Sequence, residues 1–464
     1  MSLPALETTP IPGLVVLRLD LREDARGWFK ENWQREKMVA LGLPDFGPVQ
    51  NNMSYNAKRG TTRGIHTEPW DKFVSVANGR AFGAWVDMRE GETFGAVHTV
   101  ELDPATAVFV PRGVGNSYQT LEDGVTYSYL VNEHWRPATA YPALDLADET
   151  AAIPWPIPLD SPEAEISEKD QRNPRLGDVT PMQPKKTLII GCHGQLGRAL
   201  QADFPGSDLV DLAELDVTDA DAVAAWPWHE YALVLNAAAY TAVDAAETAE
   251  GRRTAWAANA GAPATLARLA REHGFTLVHY SSEYVFDGTA EEHAEDEPLS
   301  PLGVYAQTKA AGDIAVATAP RHYLLRTSWV IGDGNNFVRT MQRLAADGVS
   351  PSVVDDQRGR LTFTTELSRA TRHLVDTGAA HGIYNLSNGG PVRSWAEIAK
   401  AVFRLSGRDE DDVTPTTTAE YFAGKTAYSP RPLNSALSLA KIEATGFVPE
   451  DATAALERYV SAGG

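Results

Sequence analysis

The sequence predicts two domains, a strand-rich antiparallel sandwich or barrel followed by a doubly wound α/β sheet, and three observations carry that reading. The chain has 464 residues, 43% of them hydrophobic, which is ample for two buried cores. Before residue 150 the apolar residues alternate in short runs. After Lys186 short apolar runs alternate with alanine-rich helical stretches, and the first such run, Leu188, Ile189 and Ile190, leads into Gly191-x-x-Gly194-x-x-Gly197.

In the first part, four groups follow the period of two expected of half-buried strands: Val15, Leu17 and Leu19; Val74 and Val76; Phe82, Ala84 and Val86; Tyr127, Tyr129 and Val131. Asn78-Gly79 lies between the second and third, where a type I′ hairpin turn needs residues that tolerate positive φ. Many short strands of this kind predict a sandwich or barrel. Prolines at 154, 156, 158, 162, 174, 181 and 184 exclude helix and central strand from that stretch. The expected boundaries are a first domain over 1–172, a proline-containing linker over 173–185 and a second domain over 186–464. Trp155 and Ile157 keep the chain before the linker packed on the first domain.

In the second part, apolar runs at 187–190, 232–236, 276–280 and 323–327 alternate with helical stretches at 242–249, 254–273 and 303–318. This is the βαβ pattern of a parallel sheet. From about 336 helical periods continue, with Ile383–Leu386 as a short strand candidate, which predicts a smaller lobe. The acidic stretch Glu291 to Glu297 reads as a solvated loop.

Charge and composition exclude several function classes. A formal net charge of -21 repels polyanions, so neither nucleic acid nor an anionic membrane surface is an expected partner. The single cysteine, Cys192, excludes an intrachain disulfide and a Cys-rich zinc site, and a reducing cytoplasm is the natural location. Residues 1–30 interleave Glu7, Arg18, Asp20 and Asp24 with apolar side chains, so neither a signal peptide nor a membrane span is expected there.

The chemistry of the second part begins at the glycine fingerprint, which follows a strand and opens a helix at Gln195. Backbone N–H groups and the helix N-terminus then face a pyrophosphate with no Cβ in the way. Asp211, twenty residues past Gly191, is placed to accept from a ribose hydroxyl, and Asn236-Ala237-Ala238-Ala239 ends the next strand in small residues. Further on, Ser281-Ser282-Glu283-Tyr284 closes a strand, and Tyr305-x-x-x-Lys309 puts a phenol and an ammonium on one helical face. An ammonium beside a phenol is expected to lower its pKa, letting Tyr305 pass a proton to a carbonyl oxygen as hydride arrives at carbon, with Ser282 holding that oxygen.

These residues resemble the extended short-chain dehydrogenases/reductases and, within them, the dTDP-4-dehydrorhamnose reductases. The matching stretches include Gly194-Gln195-Leu196-Gly197, Leu215-Asp216-Val217-Thr218, Ala238-Ala239-Tyr240, Tyr284-Val285-Phe286, Arg326-Thr327-Ser328-Trp329 and Arg431-Pro432-Leu433-Asn434-Ser435. The resemblance implies a Rossmann sheet with NADPH or NADH bound by Gly191, Gly194, Gln195, Leu196, Gly197, Asp211, Asp216, Val217, Ala237, Ala238, Tyr240, Tyr305 and Lys309. It implies Ser282, Tyr305 and Lys309 as the catalytic trio, and Glu283, Tyr284 and Trp329 near the sugar. Ser282-Glu283 stands where the family usually carries Thr-Asp. A nucleotide-sugar dehydratase is the rival within the superfamily, but it resembles a site with an Asp-Glu pair after the Ser/Thr, and here Glu283-Tyr284 offers one carboxylate.

In the first part, Arg63-Gly64-Ile65-His66, Lys72 and the strand carrying Tyr127 and Tyr129 stand with Gln50-Asn51-Asn52, Asp24-Ala25-Arg26-Gly27-Trp28-Phe29 and Ser167-Glu168-Lys169-Asp170. Together these resemble the cupin-fold dTDP-4-dehydrorhamnose 3,5-epimerases over about residues 10–175. The resemblance implies a jelly roll in which His66 is a base, Asp170 orients and charges it, Lys72 stabilises an enolate and Tyr129 is the acid on the opposite ring face. It also implies Arg26, Phe29, Glu31, Gln50, Asn52, Arg63, Lys72 and Asn116 as substrate ligands, and a homodimer formed through this domain. Asn116 stands where the family has a histidine, and Glu68 where it has a glutamine. A metal-dependent oxygenase cupin would need a His-x-His pair and a later His; Glu68 and Asn116 occupy those places, and no metal is expected. Two functions remain: a bifunctional enzyme that epimerises a dTDP-4-keto-6-deoxy sugar and then reduces it, or a reductase whose first domain only binds or dimerises.

Overall fold

The computed structural model describes residues 4–134, 141–424 and 428–462. The chain divides into two compact units, Met1–Pro184 and Lys185–Gly464.

The first unit is two facing sheets, antiparallel except where Glu165–Ile166 runs parallel to Thr61–His66. One runs in the order Ala5–Thr8, Val15–Arg18, Thr106–Val110, Lys72–Asn78, Val125–Val131, Gln50–Asn56; the other in the order Glu165–Ile166, Thr61–His66, Val114–Thr120, Ala81–Asp87, Val97–Leu102. Between them lie Val16, Val74, Val76, Trp85, Val108, Tyr118 and Tyr127, all buried. The strands were expected to be half-buried, yet all of Lys72–Val76 is buried. The outer face of the first sheet is covered by Met38, Leu43 and Phe46, from the helix Arg35–Ala40 and the loop after it, packed on Leu17, Phe73 and Phe109. The outer face of the second is covered by Leu144, Leu146, Ile153 and Leu176.

Two expectations change here. Asn78-Gly79 does turn the chain, with φ +79 at the glycine. The strands it joins do not pair as a hairpin, because each finds its partners in a different sheet. The stretch expected to be a linker also packs on the first unit. Leu176 is buried in its core, and Met182 bridges to Arg89. Proline density excluded regular ladders there without excluding packing.

The second unit is a six-stranded parallel sheet in the order Asp208–Val210, Lys186–Ile190, Tyr231–Asn236, Thr276–Ser282, His322–Thr327, Gly382–Leu386. Both faces are covered by apolar clusters, one holding Leu266, Leu269 and Phe275, the other Leu200, Leu367 and Leu374. Strand order reverses beside Lys186–Ile190, and such a switch point opens a crevice at the strands' carboxyl ends. Gly382–Leu386 was expected in the smaller lobe and instead closes the main sheet beside His322–Thr327. The lobe has its own core around Met341, Phe363, Val402 and Phe403. Glu291–Glu297 is no free loop: His293 is fully buried, stacks on Phe286 with ring centroids 4.7 Å apart, and pairs with Glu297 at 2.8 Å. Among the described residues no helix is long and apolar enough to cross a membrane.

Candidate active sites

In the first unit the chemistry lies between the two sheets. His66 ends the strand Thr61–His66, and its Nε2 is 2.8 Å from Oδ1 of Asp170. Asp170 opens a short 3-10 turn, where its N–H donates to Ser167 Oγ at 3.1 Å. Burial pushes the Asp170 carboxyl up, but the hydrogen bond and charge of His66, with help from Gly64 N–H and Ser167, hold it below the usual carboxylate range. The His66 side chain is 39% exposed against 6% for Asp170, so the imidazole faces the cleft with an anchored carboxylate behind it. That is the arrangement of an oriented base.

The facing sheet presents Lys72, Tyr129, Asn52 and Gln50, which pairing register places on one face: Tyr129 lies opposite Asn52 and Val74, Val131 opposite Gln50 and Lys72. The Lys72 ammonium lies 6.0 Å from the centroid of the Tyr129 ring. It is 3% exposed and ion-paired with Glu68, so its charge is already partnered. Burial first, then the Glu68 charge, raises the Tyr129 phenol above its ordinary range. Arg63 donates from Nε to Asn56 Oδ1 at 3.0 Å, and Gln50 donates to Asn52 at 2.8 Å.

Asn116 lies opposite His66 in the sheet. Its Oδ1 accepts from Trp85 Nε1 at 2.9 Å and from the Tyr127 hydroxyl at 2.8 Å, tying the two sheets together. Sequence reading gave Asn116 only a ligand's part; it also closes a buried network with Tyr127 and with Trp85, which was not singled out. Arg26, Phe29 and Glu31 are placed elsewhere. The first two sit on the separate hairpin Leu21–Asp24/Gly27–Lys30, Arg26 being 89% exposed and paired with Asp24. Glu31, just past that hairpin, pairs with Lys37 at 2.5 Å.

In the second unit the turn after Lys186–Ile190 has the shape a pyrophosphate needs. Gly191 has φ +79, and a Cβ there would meet the Ala238 backbone N at 2.7 Å; a Cβ on Gly197 would strike the Gly191 carbonyl. Gly194 differs, since a Cβ there would touch only Gly191 O at 3.3 Å, leaving open space before the helix Gln195–Asp203, which has no side-chain cap. Free N–H groups facing open space suit an anion, so the residues present fit a dinucleotide. Asp211 follows the neighbouring strand and accepts from the His193 N–H of the turn at 2.9 Å. The Gln195 side chain is bound to Gly332 N at 3.0 Å, and Leu196 packs on the core. Asp216 accepts from Thr218 at 2.8 Å, and Val217 is buried. Ala237 N donates to Ile190 O at 2.9 Å. Tyr240 is held through its backbone by Asn259 at 2.9 Å and packs near Tyr305.

Ser282, Tyr305 and Lys309 come together at the ends of Thr276–Ser282 and the start of the helix Val304–Val316. Ser282 lies near the Tyr305 phenol and favours its ionisation. Lys309 is buried and donates from Nζ to Tyr280 O at 2.6 Å. Burial brings its ammonium down to about 8, against the pull of Asp313. Contrary to expectation, Tyr305 is raised, first by burial and then by the Glu283 charge. Its proton is therefore retained across the neutral range. Tyr284 sits edge-on to Tyr305 with centroids 5.8 Å apart, and Glu283 is 3% exposed with Oε2 accepting from Ser282 Oγ at 2.8 Å. Trp329, strained at φ +45, stacks on Trp395 at 3.8 Å.

Sequence reading missed Asp313, which accepts from Arg326 Nε at 2.9 Å beneath Lys309. It lies one further helical turn along from Lys309, and that spacing was the available signal. It also gave no role to Arg431, paired with Asp244 at 2.5 Å beside Tyr284.

Comparisons with known proteins match each unit to a family. A family model described as dTDP-4-dehydrorhamnose 3,5-epimerase matches residues 8–178, and one described as RmlD substrate binding domain matches 185–463. A protein of Streptococcus pyogenes serotype M6 called "Protein RmlC homolog" is 46% identical over 39% of this chain and 92% of its own length. A dTDP-4-dehydrorhamnose reductase of Mycobacterium tuberculosis is 38% identical over 57% of this chain and 88% of its own. The solved dTDP-4-dehydrorhamnose reductase of Bacillus anthracis, in complex with NADP, is 29% identical with a TM-score of 0.55, covering 61% of this chain and 100% of that one. One chain thus joins two families, belonging through its first unit to the dTDP-4-dehydrorhamnose 3,5-epimerases and through its second to the dTDP-4-dehydrorhamnose reductases.

Proposed function

We propose that the chain carries out two successive steps, 3,5-epimerisation of dTDP-4-dehydro-6-deoxy-D-glucose in the first unit and reduction of the C4 ketone in the second, giving dTDP-L-rhamnose. The observation that carries this is the presence in one chain of an anchored His66–Asp170 pair at 2.8 Å and a buried Ser282–Tyr305–Lys309 group.

His66 removes the protons α to the ketone, Lys72 stands toward the enolate oxygen, and Tyr129, held protonated, returns a proton from the other ring face at C5. Gln50, Asn52, Arg63 and Asn116 hold the nucleotide sugar. In the second unit the bound NADPH or NADH supplies hydride. Tyr305 gives its proton to O4, Ser282 holds that oxygen, Lys309 orients the group, and Glu283, Tyr284 and Trp329 face the sugar. Asp211 at the second strand's end suits an unphosphorylated ribose, whereas NADP is the cofactor in the Bacillus anthracis structure.

Incubation of the whole chain with the dTDP-4-keto sugar and each cofactor, with product stereochemistry read by NMR, is expected to yield the L-rhamno product. A D-configured product would leave the first unit with binding alone. A cytoplasmic location follows from NAD(P)H use and the free thiol of Cys192.

The first unit also forms the homodimer. Trp28, Phe29, Val49, Met53 and Tyr55 are exposed, between 40% and 67%, on the hairpin and along the edge strand Gln50–Asn56. Met53→Asp with Tyr55→Asp is expected to convert a dimer into a monomer by sedimentation; an unchanged mass would place the interface elsewhere.

A further inference from the structure

Two segments of the second unit bring three metal-ligating side chains together outside the catalytic group. Cys192 and His193 stand in the turn after the strand Lys186–Ile190, and Asp211 follows the strand Asp208–Val210. Their ligand atoms, the Cys192 Sγ, a His193 ring nitrogen and an Asp211 carboxylate oxygen, all lie within 4.8 Å of one another. The Sγ is 3.6 Å from His193 Nδ1. Backbone bonds hold the two segments against each other: Gly191 N and Cys192 N donate to Val210 O at 2.9 and 3.2 Å, and His193 N donates to Asp211 Oδ2 at 2.9 Å. The fold therefore assembles the group without help from a ligand.

We propose that Cys192, His193 and Asp211 bind a divalent cation of the zinc class, and that this ion and the dinucleotide exclude one another. The exclusion rests on the dinucleotide reading of the turn above; the metal site does not. A thiolate, an imidazole and a carboxylate form a donor set for zinc, whereas magnesium and calcium take oxygen. Tetrahedral zinc, with bonds of about 2.3 Å to sulfur and about 2.0 Å to nitrogen, sets those two atoms roughly 3.5 Å apart. Sγ and Nδ1 already stand at 3.6 Å. Asp211 accepts from His193 N through Oδ2 and from Leu212 N through Oδ1, so each oxygen keeps a lone pair for an ion.

Binding replaces the S–H bond of Cys192 with a sulfur–metal bond and releases the proton to water; nothing is oxidised or reduced. Thiolate and carboxylate together cancel the charge of the dication. The occupied site therefore adds no net positive charge near the start of the helix Gln195–Asp203, where free N–H groups favour an anion. Glu214 adds a second carboxylate to the same loop, its Oε2 accepting from Asp211 N at 3.0 Å. The thiol is 2% exposed and His193 is exposed, so an arriving ion meets the imidazole before the sulfur. Asp211 is the carboxylate read as accepting from the cofactor's ribose, and Cys192 and His193 lie between Gly191 and Gly194. An ion held there takes a carboxylate that the cofactor uses and stands inside the turn that receives its pyrophosphate, so zinc inhibits reduction in competition with the cofactor.

The test uses Co²⁺, which takes zinc's ligands and is visible to spectroscopy, added to the full chain after reduction and removal of metal. The chain has one cysteine, so a sulfur-to-cobalt charge-transfer band in the near ultraviolet reports Cys192 alone. The band is expected in wild type and absent from Cys192→Ser. In His193→Ala, a change at an exposed position, it requires at least about tenfold more cobalt, the smallest loss expected when a metal site is weakened. Excess NAD⁺ or NADP⁺, neither of which absorbs there, abolishes it. With Zn²⁺ at its dissociation constant, the apparent KM for the reduced cofactor rises about twofold and kcat at saturating cofactor stays, as mass action requires of exclusive binding. The same zinc leaves the KM of His193→Ala at its zinc-free value. No band, a band unchanged by His193→Ala, or one that survives saturating NAD⁺ and NADP⁺ overturns the proposal. Reduction of pre-epimerised sugar without added metal reports the reductase reading separately.

Discussion

Tyr305→Phe stops NAD(P)H oxidation while the first unit continues to epimerise. The expected loss is about 10² to 10⁴-fold in kcat, the range for removing a positioned general acid. Phenylalanine keeps the ring, so the edge-on contact with Tyr284 at 5.8 Å and the packing among Ala246, Ala255 and Val304 survive, and the fold is expected to hold. What disappears is the hydroxyl beside Ser282, and with it the proton for the ketone oxygen. Absorbance of the reduced nicotinamide follows the second step, and deuterium entering the sugar from solvent follows the first. Oxidation at the wild-type rate would remove this tyrosine from the reductase.

His66→Ala abolishes that deuterium incorporation and leaves reduction of pre-epimerised sugar intact, because the two steps use groups in different units. The base is lost outright, so exchange is expected to fall by at least the same 10²-fold. Unchanged exchange would disqualify His66. The substitution also alters acid stability, in a direction that can be worked out. Asp170 is held below its ordinary range in the folded protein, so it contributes stability at pH above its unfolded value, which is lost as pH falls through the folded one. Without His66 the burial that opposes ionisation dominates, the carboxyl rises, and acid unfolding of the first unit begins at a higher pH. A midpoint that does not move, followed by circular dichroism, would show that His66 does not set the Asp170 ionisation.

Both predictions start from residues that local sequence could mark. Gly191, Gly194 and Gly197 follow a strand and open a helix, a context that spacing reveals because backbone geometry there admits few alternatives. Tyr305 and Lys309 are one helical turn apart, so their shared face follows from the helix alone. His66 and Asp170 are different. They stand 104 positions apart and meet only because a 3-10 turn after Glu165–Ile166 lies beside the Thr61–His66 strand. Their partnership was legible through resemblance and not through pattern.

Long-range polar partners escaped the sequence for the same reason. The direction of the Tyr305 shift was anticipated with the wrong sign, because spacing reports proximity but not burial or the Glu283 charge. Asn116 was weighed by the charge it lacks, while its carbonyl is committed to Trp85 and Tyr127. The strand Gly382–Leu386 was assigned to the lobe because a short apolar run does not say which sheet it joins.

By itself the sequence determined the two-part organisation, the types and approximate extents of most elements, the glycine turn, and the Tyr-x-x-x-Lys pair, since each depends on residues within a few positions of one another. Only the tertiary structure decided which strands pair, that the proline-rich stretch packs on the first unit, that Glu68 partners Lys72, and that Glu283 lies buried against Ser282 and Tyr305. Those outcomes depend on which distant groups share a volume from which water is excluded, and burial is what changes the sign of an ionisation.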